Sequence, residues 1–259
     1  MSQDNLPILR RDQNSALSLR RANQLFEITD KILAISRQEL VTLDESWMER
    51  LWAWADENGV PDLEWDKDID HYNGGTWRGL PRERQALLGL LELRIDDNYI
   101  FTLPPEIGHL QQLRKLLISG TYLSTLPPEI GQLQQLQTLD INHNYITTLP
   151  PEIGHLQQLR KLLISGTYLS TLPPEIGQLL QLQTLYIYSN VLTTLPPEIG
   201  QLQQLQTLYI YGNQLTALPP EIGQLLQLQT LYIDDNKLIT LPPEIGQLQQ
   251  LQTLLIHSN

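Results

Sequence analysis

Glu106, Glu129, Glu152, Glu175, Glu198, Glu221 and Glu244 recur every 23 residues, and a column of carboxylates is the raw material of acid–base catalysis. That chemistry needs two acids whose surroundings push their pKa values apart. The repeated LPPEIG context predicts near-identical surroundings, so a solvated acidic stripe is expected. His109 and His155 occupy one slot two units apart, about 10 Å at sheet spacing, too far to ligate one metal together. They read as solvent-facing variants of the glutamine found in other copies. Asp66, Asp68 and Asp70 begin like a calcium loop, but His71 and Trp77 stand where the loop requires Gly and Glu. No Gly-rich phosphate loop and no G-x-S-x-G elbow occurs. No catalytic, cofactor-binding or metal-binding residue is assigned, and no cofactor is expected.

Tyrosine is the other chemistry-bearing residue, and its meaning depends on the elements that carry it. The first Pro of each unit falls at 81, 104, 127, 150, 173, 196, 219 and 242, a constant spacing of 23. Such a period signals a solenoid, in which no unit buries its apolar face alone. Inside a unit the pattern is L-x-x-L-x-I-x-x-N-x-L, as in Leu182, Leu185, Ile187, Asn190 and Leu192. Its Leu-x-Ile alternation has the period of a strand with one buried face. Asn98, Asn144, Asn190, Asn213, Asn236 and Asn259 follow that strand, where an amide can satisfy backbone groups of adjacent coils. Thr121 and Thr167 interrupt this ladder, predicting two less well satisfied turns. LPPEIG predicts a short helical or 3₁₀ return, opened by Pro-Pro and closed by Gly.

These residues resemble the leucine-rich repeat family, in the 23-residue LPPEIG form found in bacterial proteins and in plant and animal Ras-group-related repeat proteins. The resemblance covers residues 80–259, as eight units of which the last is incomplete. It implies an α/β solenoid, an arc with a concave parallel β-sheet, short convex segments and protein binding on the sheet. In some members the repeats precede a GTPase or kinase-like domain, so a recognition or sensor fragment of a larger signalling protein is the alternative reading. Bacterial ubiquitin-ligase effectors of similar architecture use a cysteine that has no counterpart here. Residues 103–125 and 149–171 are identical, copying that suits a scaffold better than an active site.

Residues 1–79 are expected to form a helical capping region, with about the first 14 residues a flexible lead. Leu25, Ile28, Ile32 and Ile35 have helical spacing, and Thr42 with Glu45 makes a capping box for a second helix closed by Asn58-Gly59. Trp47, Leu51 and Trp54 share a face of it; the stripe reads as core covering the first repeat, with a ligand pocket, and an enzyme acting through these helices, as the other reading. The chain stops at Asn259, leaving Leu251, Leu254 and Ile256 with no following repeat. Either it is a piece of a longer protein or that end self-associates.

Outward positions of the strands fall into two columns. The first reads Arg94, Leu117, Asp140, Leu163, Tyr186, Tyr209, Tyr232, Leu255; the second Asp96, Ser119, Asn142, Ser165, Tyr188, Tyr211, Asp234, His257. Tyr186, Tyr188, Tyr209, Tyr211 and Tyr232 therefore share three consecutive strands and should form one patch. If each ring exposes half its surface the patch covers roughly 400 to 600 Å². It reads as a protein or peptide contact, with cross-strand stacking as the alternative. Arg114, Lys115, Arg160 and Lys161 supply a basic region on earlier strands, while Asp234 lies beyond the patch; such a gradient would orient a partner.

Net charge is −12, and Leu162–Asn236 contains no Lys, Arg or His, so nucleic acid is not an expected partner. Zero cysteines fits a reducing compartment. The start lacks the apolar core of a signal peptide, and no apolar run suffices to cross a bilayer. A cytoplasmic, non-enzymatic interaction module without membrane or nucleic-acid partners is the overall expectation.

Overall fold

The computed structural model describes residues 45–66, 76–96 and 98–259. Leu25, Ile28, Ile32, Ile35, Thr42, Asp68, Asp70 and His71, and with them the first helix and most of the calcium-like stretch, lie outside the described residues. The chain divides into two units, Met1–Ser46 and Trp47–Asn259, and the second carries nearly everything that follows.

Helix α1 (Ser46–Glu57) is amphipathic, with Trp47, Met48, Leu51 and Ala55 buried. It ends where the Val60 amide reaches back to the Ala55 carbonyl at 2.8 Å and Gly59 takes φ 67°, the left-handed exit that glycine permits. The indoles tie it to the first coils: Trp52 Nε1 donates to the Pro81 carbonyl at 2.9 Å and Trp54 Nε1 to the Thr102 carbonyl at 3.1 Å. Those four buried residues of α1 join one apolar cluster that runs through every coil to Leu248, so the tryptophan stripe is core. A two-stranded antiparallel sheet, β1 (Glu64–Asp66) with β2 (Thr76–Arg78), and a short helix α2 (Arg84–Leu88) precede the repeats. Asp66 pairs with Arg78 at 3.1 Å.

The repeats build an eight-stranded parallel sheet in strict sequence order, from β3 (Glu92–Asp96) and β4 (Lys115–Ser119) through β5 (Thr138–Asp140), β6 (Lys161–Leu163), β7 (Thr184–Tyr186), β8 (Thr207–Tyr209) and β9 (Thr230–Tyr232) to β10 (Thr253–Leu255). Every pairing joins residues 23 apart, such as Leu185↔Leu208 and Leu208↔Leu231. Leu93, Leu116, Leu139, Leu162, Leu185, Leu208 and Leu231 point inward and are fully buried, because the strand period sends alternate side chains to opposite faces.

The chain returns through 3₁₀ turns, among them Pro105–His109, Pro174–Gln178 and Pro243–Gln247. The first Pro of each pair is extended and the second opens the turn, where its missing N–H costs nothing. Five residues are too few for an α-helix inside so short a coil, and 3₁₀ bonding tightens the return. The glycine that looked like a cap has another purpose. A Cβ on Gly200 would lie 2.6 Å from the Glu221 carbonyl oxygen of the next coil, and the same close approach recurs at Gly108, Gly131, Gly154, Gly177 and Gly223. Of these motif glycines only Gly246, which has no coil on its following side among the described residues, has open space there.

Buried asparagines join the coils. Asn213 Nδ2 donates to the carbonyls of Ile187 at 2.9 Å and Ile210 at 3.0 Å, while its Oδ1 accepts the Leu192 amide at 3.1 Å. Asn236 repeats this on Ile210, Ile233 and Leu215. Each inner carbonyl is thus held by two asparagines, and the ladder is unbroken from Asn190 to Asn259. The threonines differ from expectation in one direction only. Buried Thr121 and Thr167 give their hydroxyls forward to Asn144 and Asn190, so they are themselves satisfied. Neither accepts the amide 21 residues back, and the ladder has its break there.

Candidate functional site

Strands β7, β8 and β9 bring the five predicted tyrosines together. With Leu185, Leu208 and Leu231 inward, Tyr186, Tyr209 and Tyr232 stand outward in register. Their rings stack at 4.4 and 4.3 Å with interplanar angles of 1°. Tyr188 and Tyr211 form a parallel stack at 4.6 Å, and Tyr186 meets Tyr188 at 6.3 Å and 52°. All five are half-buried, so the patch exposes less than the area expected from the sequence. The reason is geometric: rings this close cover one another's faces, leaving edges and hydroxyls outermost.

The stack keeps its phenols neutral. Burial, the adjacent Tyr186 and Tyr232, and hydroxyl bonding to both push the Tyr209 pKa up to about 12. Burial, Tyr188 and Asp234 raise that of Tyr211. Tyr209 ionises near 10 when unfolded, so its contribution to stability is full below pH 10 and is lost as pH rises through about 12. Unfolding midpoints measured from pH 9 to 12 are therefore expected to fall more steeply in the wild type than in Tyr209→Phe; parallel curves would show that the stack does not hold this proton.

Lys115 and Lys161 open β4 and β6 on the same sheet face, in register with Thr138 and, for Lys161, also with Thr184. Lys115 pairs with Glu92 at 2.9 Å; Arg114, Arg160 and Lys161 are exposed and pair with no carboxylate among the described residues. Asp234 follows β9 beside Tyr211, and its Oδ1 is buried without a hydrogen-bond partner. Nearer the first coils the outward face mixes acids with Leu117 and Leu163. Asp96 accepts Ser119 Oγ at 3.1 Å and faces Arg94 at 3.5 Å. Burial raises the Asp140 carboxyl, against a bond from the Asn142 amide.

Several side chains depart from the sequence reading. Glu106 is not one more solvated acid: Arg50 of α1 binds it. Burial works against its ionised form, but the Arg50 bond and charge, its own backbone amide and His109 prevail and lower its pKa. His109 stacks on Trp47 at 4.8 Å instead of simply facing solvent. Both differences arise because the first 3₁₀ turn has a repeat on one side only and meets helix α1 through Arg50 and Trp47. A second aromatic ladder was missed: Tyr99, Tyr122, Tyr145 and Tyr168 stack at 5.2 to 5.5 Å, and Phe101 packs on Tyr122. Its rings are 39 to 71% exposed. The available signal was a tyrosine immediately after the Asn or Thr position in four successive units, outside the strand columns that were read.

At the last coil Leu254 is 36% and Ile256 42% exposed, and Ile239 reaches 88%, while Leu251 stays partly buried. An open cavity of about 150 Å³ lies there, lined by Leu238, Ile239, Thr240, Leu241, Ile256 and Asn259. No described helix is long and apolar enough to cross a membrane.

Comparison with known proteins gives a consistent result. The family described as leucine-rich repeat region matches residues 105–166 and 153–216, and leucine-rich repeats in two copies match residues 203–243. No curated protein matches the chain. Among solved structures, the Leptospira interrogans leucine-rich repeat protein LIC12759 is 39% identical with a TM-score of 0.50, covering 64% of this chain and 50% of that one. The plant peptide hormone receptor RGFR1, solved in complex with RGF2, is 28% identical with a TM-score of 0.50, covering 69% of this chain and 34% of the receptor. An internalin from Listeria monocytogenes shares the fold at 22% identity, with a TM-score of 0.53, covering 64% of this chain and 47% of its own. The chain spans half or less of each of these structures.

Proposed function

The chain belongs to the leucine-rich repeat family, and from that premise we propose that it is a non-enzymatic interaction module whose concave sheet holds a protein or peptide through the tyrosine patch. The observation that carries this is the stack of Tyr186, Tyr209 and Tyr232 at 4.3 to 4.4 Å on strands joined beneath by the unbroken asparagine ladder. Rigid aromatic side chains lose little entropy on binding, and a stacked row has already lost most of it. Arg114, Lys115, Arg160 and Lys161 on one side and Asp234 on the other would set the partner's direction more than its affinity. The similar plant receptor was solved with RGF2 bound, which supports a protein or peptide as the class of partner. A cytoplasmic setting goes with this reading, because a chain without cysteine suits a reducing compartment.

Replacing Tyr186→Ala together with Tyr209→Ala tests the patch. Partner capture should disappear, while stability falls by only about 1 to 2 kcal/mol for the lost stacking. Capture that survives in the folded variant would assign the rings to sheet stability alone.

Two further readings rest on particular observations. The chain spans half or less of the similar structures, which favours a recognition region of a larger signalling protein. The exposed Leu254 and Ile256, beside Leu251 at an unpaired strand, favour self-association through the last coil; light scattering that finds only monomer at high concentration would remove that reading.

A further inference from the structure

We infer that the β9 end of the tyrosine patch is a seat for one cationic side chain, an arginine or lysine, of the segment bound on the sheet. This rests on the sheet being the docking face. Four outward-facing acids lie along it, and three are already answered within the chain: Glu92 pairs with Lys115 at 2.9 Å. Asp96 accepts Ser119 Oγ and faces Arg94, and Asp140 accepts the Asn142 amide at 3.1 Å. Asp234 is not: its Oδ1 is buried with no hydrogen-bond partner. A carboxylate with one oxygen buried and unpaired is held at a cost, and a cation that binds the accessible part of this half-buried side chain offsets it.

The surroundings select the donor. Tyr211 is covered on one face by Tyr188 at 4.6 Å. On its other side the column continues not with a third ring but with Asp234, one strand spacing of about 4.8 Å away. Asp234 is close enough that its charge raises the Tyr211 pKa. A guanidinium or ammonium placed there meets a carboxylate and a neutral phenol together, pairing ionic hydrogen bonding with cation–π attraction. Tyr232, two residues before Asp234, closes the seat along the strand. No basic residue of the chain competes from Leu162 to Asn236. Lys237 Nζ is bonded to Gln214 Oε1 at 3.2 Å, and His257, next in the column, is exposed and makes no ion pair with Asp234 among the described residues.

The test uses the full chain and a displayed library of random 12-residue peptides, selected at pH 8, where an ordinary imidazole is neutral. Selected peptides are expected to need one Arg or Lys, whose change to Gln weakens binding about tenfold or more. Asp234→Asn, nearly isosteric, should weaken the parent peptide equally and leave the Gln-substituted peptide unaffected, with the unfolding midpoint unchanged. If Tyr209→Ala abolishes peptide binding while Asp234→Asn does nothing, the docking face stands and the cation seat falls. If neither substitution matters, or no peptide is selected, both fall.

Discussion

Gly200→Ala is expected to destabilise the protein by about 3 kcal/mol, while Gly246→Ala, the same change in the same motif, leaves stability within about 0.5 kcal/mol. At Gly200 the new methyl would sit 2.6 Å from the Glu221 carbonyl oxygen and 2.9 Å from both Glu221 Cβ and Gln224 Oε1. The carbonyl belongs to backbone held in its own 3₁₀ turn, so relief requires the whole coil to slide. Nothing lies within 4 Å of the corresponding methyl at Gly246, and neither glycine takes a positive φ. Because stability in a repeat array is a sum over coils and their junctions, a weakened junction at Gly200 should also split the thermal transition in two. Equal losses in the two variants, measured by denaturant unfolding, would mean that the glycine serves the turn itself and not the junction.

Asn213→Ala should cost about 3 kcal/mol or more. The Leu192 amide then loses the side-chain oxygen that accepts it, and the Ile187 and Ile210 carbonyls each lose one of two donors. Each buried group left short is worth about 1 to 3 kcal/mol. Asn259→Ala removes a similar set of bonds from an exposed position, where water replaces them, and should cost under about 1 kcal/mol. Chemical denaturation of the two variants separates these outcomes; a mild effect at Asn213 would show that the coils are joined by leucine packing alone.

Much of the site could be read from the sequence because a parallel sheet with a constant period turns arithmetic into geometry. Residues 23 apart must be neighbours, so Tyr186, Tyr209 and Tyr232 had to line up once Leu185, Leu208 and Leu231 were inside. What could not be read depended on atoms and not on register. The forward hydroxyl bond of Thr121 depends on the distance between two turns, and the crowding at Gly200 on how tightly two coils nest. Glu106 and His109 repeat their motif faithfully, yet they differ from their copies because α1, not a coil, lies on one side of them. The exposed Tyr99 to Tyr168 ladder follows the same arithmetic, but it sits past the strand, where no apolar alternation draws the eye.

The gap that Thr167 leaves in the amide ladder has a mechanical side. Coils from Asn190 onward are laced by a continuous rail, whereas the coil boundary at Thr167 lacks that buried rung and is crossed nearer the surface, by the Ser165 amide bonded to Asn142 Oδ1 and by the Tyr145–Tyr168 stack. The molecule is accordingly not expected to act as a uniform spring: under a bending or pulling force the boundaries at Thr121 and Thr167, which share the missing rung, should yield before the laced span that carries the phenol rows.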